Sequence, residues 1–296
     1  MPVQPDLMTT KEVAALLRIK ERKVYDLAGA GDIPCIRVTG KLLFPRALVQ
    51  AWLVRHTHYG AGAGTLEPRP PVVAGSHDPL LEWALREAET GLATLFDGSL
   101  NGLERLAKTQ AKVAGIHLPE PGDDAWNVDH VARALAGMPV VVIEWARREQ
   151  GLILPAGNPA RVKSIADLAG ASFLPRQRAA GSTVLLARLL EDAGMSLDDL
   201  KPCDAPARSE TEVALGVAGG KAAVGLGLAA MARHHGLAFV PLARERYDLV
   251  MCRRDYFDVA MTRLLEFTSS AAFTERAGSL EGYDVSGLGT VRYNAA

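Results

Sequence analysis

The stretch Pro71-Val72-Val73-Ala74-Gly75-Ser76-His77-Asp78-Pro79 sets a short apolar run, of strand length, directly against a Ser/Asp/Pro helix start. An apolar-periodic helix follows from Leu80 to Glu89, and the order then repeats. Leu92 to Phe96 reads as a strand, Asp97-Gly98-Ser99-Leu100-Asn101-Gly102 as a loop, and Leu103 to Gln110 as a helix. Lys112 to Leu118 is a third strand, ended by the loop that opens at Pro119. Further on, an apolar run from Pro139 to Ile143 and a helix near Ser164 to Leu168 precede the strand Ala171 to Leu174. That strand leads through Ala179-Ala180-Gly181-Ser182-Thr183 into a helix carrying Val184, Leu185, Leu189 and Leu190. Strands alternating with helices over short connections predict an α/β fold with a mainly parallel sheet.

Ligands of such sheets sit at the carboxyl ends of strands, which is where Ser76, Ser99 and the Gly181-Ser182-Thr183 junction fall. Each junction alone is explained by helix capping. Three together, each opening a helix whose first N–H groups are unpaired, converge on an anion or a polar small molecule. His77, beside Ser76, and His117, at the end of the third strand, are each either packed histidines or ligand donors.

Working outward, residues 56–71 form a linker, flexible through Gly60, Gly62 and Gly64 and extended through Pro68, Pro70 and Pro71. The 296-residue chain has a net charge of −1, which alone argues against nucleic acid. The first 58 residues, however, hold nine Lys and Arg against five Asp and Glu, so a +4 head is joined to a −5 body. Within the head (1–55), Thr9 caps a short helix and Glu12 stands at the capping-box spacing, with Val13, Leu16 and Leu17 on one face. A second helix runs from Glu21 to Ala28 with Val24 and Leu27 inward; Cys35 to Pro45 reads as a hairpin turning near Thr39-Gly40. A last helix, Arg46 to Leu53, buries Leu48, Val49, Trp52 and Leu53.

Several classes are excluded. Cys35, Cys203 and Cys252 have no disulfide or zinc spacing, so reduced thiols in a cytoplasmic protein are expected. The N-terminus lacks the pattern of a secretory signal. Val213 to Ala232 contains Lys221 and five glycines and reads as helix, turn and strand rather than a membrane span. Gly216-Val217-Ala218-Gly219-Gly220-Lys221-Ala222 lacks the spacing and the hydroxyl of a phosphate-binding loop. His234-His235 reads as a helix end and His56/His58 as loop residues, and no set of general acid, base and nucleophile is seen, so no enzyme is expected.

The run Met8-Thr9-Thr10-Lys11-Glu12-Val13, with Val24-Tyr25, Gly31-Asp32-Ile33-Pro34, Arg37-Val38-Thr39-Gly40-Lys41 and Phe44-Pro45-Arg46, resembles the excisionase-type, MerR-related winged helix-turn-helix. The resemblance implies that Lys20, Arg22, Lys23 and Tyr25 enter the major groove of double-stranded operator DNA and that Arg37 and Lys41 act as the wing. Gly75-Ser76-His77-Asp78, Gly98-Ser99-Leu100, Ala114-Gly115-Ile116-His117, Arg148-Glu149-Gln150, Gly157-Asn158-Pro159, Gly225-Leu226-Gly227 and Glu245-Arg246-Tyr247 resemble the type II periplasmic-binding-protein-like domain of cytosolic regulators. It implies a two-lobed α/β body over 72–296, with lobes of about 72–138 plus 241–296 and about 139–240 that close on a ligand. Relatives often have an arginine after Gly-Ser-Gly-Thr, which Ala179-Ala180-Gly181-Ser182-Thr183 lacks, so hydroxyls and N–H groups remain.

The expected fold is thus a small α+β winged helix-turn-helix followed by a two-lobed α/β domain, and the expected function is ligand-responsive transcriptional regulation by a homodimer. The ligand site is Ser76, His77, Ser99, Gly181, Ser182 and Thr183. Some relatives respond to molybdate or tungstate, which makes such an oxyanion the expected effector, with no cofactor, metal or membrane partner. The alternative is a non-catalytic binding protein of molybdenum-cofactor metabolism or of another small ligand.

Overall fold

The computed structural model describes residues 6–38, 40–55, 69–122 and 124–295. Two units are distinguished, Met1–Pro68 and Arg69–Ala296. The expected linker lies mostly outside the described residues, as does Thr39 of the expected hairpin turn.

In the first unit, β1 (Leu7–Thr9) leads into α1 (Thr10–Leu17), and Thr9 and Glu12 form the reciprocal capping box. Arg18, left-handed at φ 54°, ends α1 and turns the chain toward α2 (Glu21–Ala30). The hairpin β2 (Ile36–Val38) and β3 (Lys41–Pro45) pairs Val38 with Lys41, and β1 adds to the other edge of β3. The last helix is α3 (Arg46–Arg55). Met8, Val13, Val24, Ala28, Ile33, Phe44 and Val49 make the core. Leu16 and Leu48, expected inside, are exposed, because Ala14, Ala28 and Val49 already close so small a core.

The second unit contains, in order, β4 (Val72–Gly75), α4 (Pro79–Glu87), β5 (Ala93–Leu95), α5 (Ser99–Ala107), β6 (Val113–Ile116), α6 (Val128–Ala134) and β7 (Val140–Leu154). There follow β8 (Ser172–Leu174), α7 (Gly181–Asp192), β9 (Lys201–Pro202), α8 (Glu210–Ala218), β10 (Val224–Leu228) and α9 (Ala229–His234). The chain ends with β11 (Ala238–Cys252), α10 (Arg253–Tyr256), α11 (Val259–Phe267), α12 (Ala271–Gly278), β12 (Tyr283–Asp284) and β13 (Val291–Asn294).

One sheet runs through the unit in the order β5-β4-β6-β11-β7-β10-β8-β9, with β12 and β13 also on β7. The expected mainly parallel sheet needs correction. Its two flanks, β5-β4-β6 and β10-β8-β9, are parallel, but the centre is an antiparallel ladder of β7 with β11. The chain leaves the first flank through one fifteen-residue strand and returns through another, so the two run oppositely. Almost every residue of β7 is buried, as expected of a strand covered on both faces. Val213 to Ala232 forms the expected helix, turn and strand, and among the described residues no helix is long and apolar enough to cross a membrane.

The helix placed at Leu103 begins four residues earlier, at Ser99. Gly98 takes φ 112° as its N-cap, and Gly102 lets the helix lie against β4: a Cβ there would stand 2.6 Å from the Cα of Gly75. This shift places the Ser99 hydroxyl on the first turn, facing the end of β4.

Candidate functional site

Ser76 follows the last residue of β4, and its N–H donates to the carbonyl of Gly115 on β6 at 2.8 Å. Gly75, at φ 100°, allows that approach, since a Cβ would fall 2.2 Å from the Gly115 oxygen. The Ser76 and Ser99 hydroxyls are hydrogen bonded at 2.8 Å, and Ser99 Oγ also accepts from the backbone N–H of His117 at 3.2 Å. The start of α7 closes on the same place. Leu100 N donates to the carbonyl of Ala179 at 3.1 Å, and Gly181 lies so near His117 that a Cβ would come within 2.4 Å of the His117 oxygen.

Ser182, in the first turn of α7, is 1% exposed, and its hydroxyl has no hydrogen-bond partner among the described residues. The first N–H groups of a twelve-residue helix also lack intrahelical partners and carry partial positive charge. The hydrogen-bonded Ser76 and Ser99 hydroxyls therefore lie against the N-terminus of α7, whose first turn carries Ser182, a donor set suited to the oxygens of an anion.

The expected ligand residues divide. Ser76, Ser99 and Gly181 come together around His117, and Ser182 is buried in the same first turn of α7 as Gly181. Thr183 Oγ1 instead donates to the carbonyl of Gln177 at 2.9 Å, closing the turn before α7. His77 is held elsewhere: Nδ1 accepts from the N–H of Glu210 at 3.3 Å, which puts the proton on Nε2, 3.2 Å from Glu82. That hydrogen bond lowers the Glu82 pKa. In each side chain a backbone group engages one polar atom, the Gln177 carbonyl at Thr183 Oγ1 and the Glu210 N–H at His77 Nδ1.

Beneath the hydroxyls lies a buried charge cluster absent from the sequence expectations. Arg148 on β7 pairs with Asp78 at 2.8 Å and with Glu245, its cross-strand partner on β11. Asp78 accepts further hydrogen bonds from Leu81 N at 2.6 Å, Trp145 Nε1 at 3.1 Å and the Tyr283 hydroxyl at 2.7 Å. Glu245 also receives Gln150 at 3.2 Å and faces His117 Nδ1 at 2.6 Å. Burial pushes the Glu245 carboxyl up, but the charges of Arg148 and His117 outweigh it and hold it at about 2. The signal available in sequence was charge inside apolar strands, at Arg148 and Glu245; their pairing across 97 residues was not.

In the head, Lys20, Arg22, Lys23 and Tyr25 are exposed, the three basic residues standing at the start of α2. Lys41 is exposed on the hairpin, while Arg37, also exposed, donates to the carbonyl of Ala28 at 2.9 Å and so ties the hairpin to the end of α2. A short helix, a tight turn, a second helix with a basic N-terminal turn and a β-hairpin constitute a winged helix-turn-helix, and the second unit is a ligand-binding α/β fold with a crossed-over sheet.

Comparison with known proteins bears this out. Residues 82–269 match the family model of the PBP superfamily domain, and residues 7–57 match that of a helix-turn-helix domain. The chain belongs to the PBP superfamily, with an excisionase-like helix-turn-helix ahead of its ligand-binding fold. A curated relative is the uncharacterized protein YvgK of Bacillus subtilis, 24% identical, the match covering 96% of each chain. A phosphate ABC transporter substrate-binding protein from Clostridium perfringens shares the fold at 12% identity and TM-score 0.51, over 72% of this chain and 97% of that one. The tungstate ABC transporter from Geobacter sulfurreducens does so at 13% identity and TM-score 0.50, over 69% and 95%.

Proposed function

We propose that this chain is a cytoplasmic, ligand-responsive transcriptional regulator, and that its effector is a tetrahedral oxyanion of the molybdate or tungstate type. The head binds double-stranded operator DNA as part of a homodimer, with Lys20, Arg22, Lys23 and Tyr25 at the groove and Arg37 and Lys41 on the backbone. The second unit acts as two lobes, about 72–138 with 241–296 and about 139–240, joined by β7 and β11; closure of the lobes is the switch. The role is binding, not catalysis.

The observation that carries this reading is the hydrogen-bonded pair of Ser76 and Ser99 hydroxyls packed against the N-terminus of α7, whose first turn holds the buried Ser182, unpartnered among the described residues. Hydroxyls and N–H groups solvate oxyanions without a counter-charge in contact. A ligand shifts the protein only by its difference in affinity between states, and a site assembled from both flanks of the sheet supplies that difference, since opening separates Ser99 from Ser182.

The test is thermal unfolding of the whole chain with molybdate, tungstate, sulfate or phosphate. A ligand at one hundred times its Kd stabilises by about 2.7 kcal/mol. Stabilisation by one or more of the four supports the oxyanion; an organic molecule that stabilises where none of the four does would overturn it.

A further inference from the structure

The two ring nitrogens of His117 are in different situations. Nδ1 faces the Glu245 carboxylate at 2.6 Å, so the proton of that hydrogen bond sits on Nδ1. Nε2 is buried and has no hydrogen-bond partner among the described residues. It faces the first turn of α7, where a Cβ on Gly181 would lie 2.8 Å from it. A neutral imidazole would present a desolvated lone pair to the oxyanion site; an imidazolium presents an N–H.

The charges around the ring decide between these. From β11 it faces Glu245 and, stacked at 5.9 Å between centroids, Tyr247. From β7 come Arg148 and Gln150, both on Glu245, and behind Arg148 stands Asp78, which also holds the Tyr283 hydroxyl. Glu210 of α8 is paired with Arg176 at 2.5 Å. Ser76, Ser99, Gly181 and Ser182, the residues of β4, α5 and α7 at the site, are uncharged. Three carboxylates against two guanidinium groups leave one negative charge in a region shielded from water, which opposes an anion. One proton on His117 cancels it.

We infer that His117 contacts the ligand: its Nε2–H, present only in the imidazolium, donates to an oxygen of the bound oxyanion, and one proton passes from solvent to His117 as a fully ionised dianion binds. This rests on the oxyanion reading above. His117 thereby selects for anions and makes affinity fall as pH rises.

The experiment is calorimetric titration of the whole chain with tungstate at pH 6.5 and 8.5, each in two buffers of different protonation enthalpy. For the wild type, affinity is expected to be weaker at pH 8.5 than at pH 6.5, by up to about tenfold per pH unit, and uptake at the higher pH to approach one proton per site. His117→Gln keeps an amide donor that does not titrate; it is expected to bind with no proton uptake and equal affinity at both pH values. Wild-type binding with unchanged affinity and no proton uptake overturns the inference, whatever the variant does, and leaves the oxyanion reading standing. Retention of the wild-type pH slope by His117→Gln also overturns it. Absence of binding by the wild type to tungstate, molybdate, sulfate and phosphate alike at both pH values overturns both.

Discussion

The Tyr247 hydroxyl donates to the carbonyl of Ser76 at 2.6 Å, reaching it over Gly115, where a Cβ would fall 1.8 Å from the hydroxyl oxygen. Tyr247 lies on the central strand β11 and Ser76 just after the end of β4, so the bond fixes the backbone of Ser76 to the strand that joins the two flanks of the sheet. Gly115→Ala must displace a fully buried ring. Overpacking of this kind costs about 1–3 kcal/mol. Chemical denaturation is expected to show that loss, and thermal unfolding to show a smaller stabilisation by oxyanion than in the wild type.

Removal of the hydroxyls acts on binding more than on folding. Ser182 Oγ has no partner to lose among the described residues. Hydrogen bonds to charged groups are worth about 1.5–3 kcal/mol. Ser182→Ala is therefore expected to weaken oxyanion binding roughly tenfold or more, with a melting temperature near that of the wild type when no ligand is added. Ser76→Ala with Ser99→Ala removes a mutual hydrogen bond as well and is expected to abolish the ligand-induced shift.

Two carboxylates on β11 give stability opposite dependences on pH. Glu245, buried but held at about 2 by Arg148 and His117, contributes stability present above its unfolded value near 4.5 and lost as pH falls toward 2. Asp248 is pushed up to about 6 by burial, only partly offset by Arg246; stability from its proton is present below about 4 and lost as pH rises through 6. Urea denaturation between pH 2 and 7 is expected to show a gain from pH 6 to 4 and a steep loss below. Glu245→Gln is expected to flatten the acid limb, which carries about 3 kcal/mol, and to destabilise the protein at neutral pH, because Arg148 is left with one carboxylate.

Much of the head was legible in the sequence because its determinants are local. The Thr9/Glu12 capping box and the Val38–Lys41 hairpin register each span a few residues. In the body, the strand-to-helix junctions that supply Ser76, Ser99 and Ser182 were legible for the same reason. The antiparallel β7–β11 ladder was not, since pairing of Arg148 with Glu245 leaves no mark in the periodicity of either strand. The partners of His77 and Thr183 were not legible, because capping and ligand chemistry favour the same polar residues and only the geometry shows their bonds to Glu210 and Gln177.

The basic residues of the head predict the salt dependence of DNA binding. Lys41→Ala, on the backbone, should weaken binding about uniformly across sequences and reduce the salt slope by about one, whereas Lys20→Ala, Arg22→Ala and Lys23→Ala, at the groove, should also relax sequence preference. Tyr25, exposed on α2, carries no charge, and Tyr25→Ala should lower affinity with the salt slope unchanged. Anisotropy titrations at several salt concentrations separate the two effects.

An oxyanion bound by the second unit is expected to govern DNA binding by the first. Fluorescence anisotropy of the whole chain on a fragment of its own promoter, with and without saturating tungstate or molybdate, tests it most directly. The expected result is a change in Kd of about fivefold or more in either direction, the usual lower bound of an allosteric coupling, abolished by Ser76→Ala with Ser99→Ala. Superimposable curves with and without an oxyanion that demonstrably stabilises the protein would contradict it.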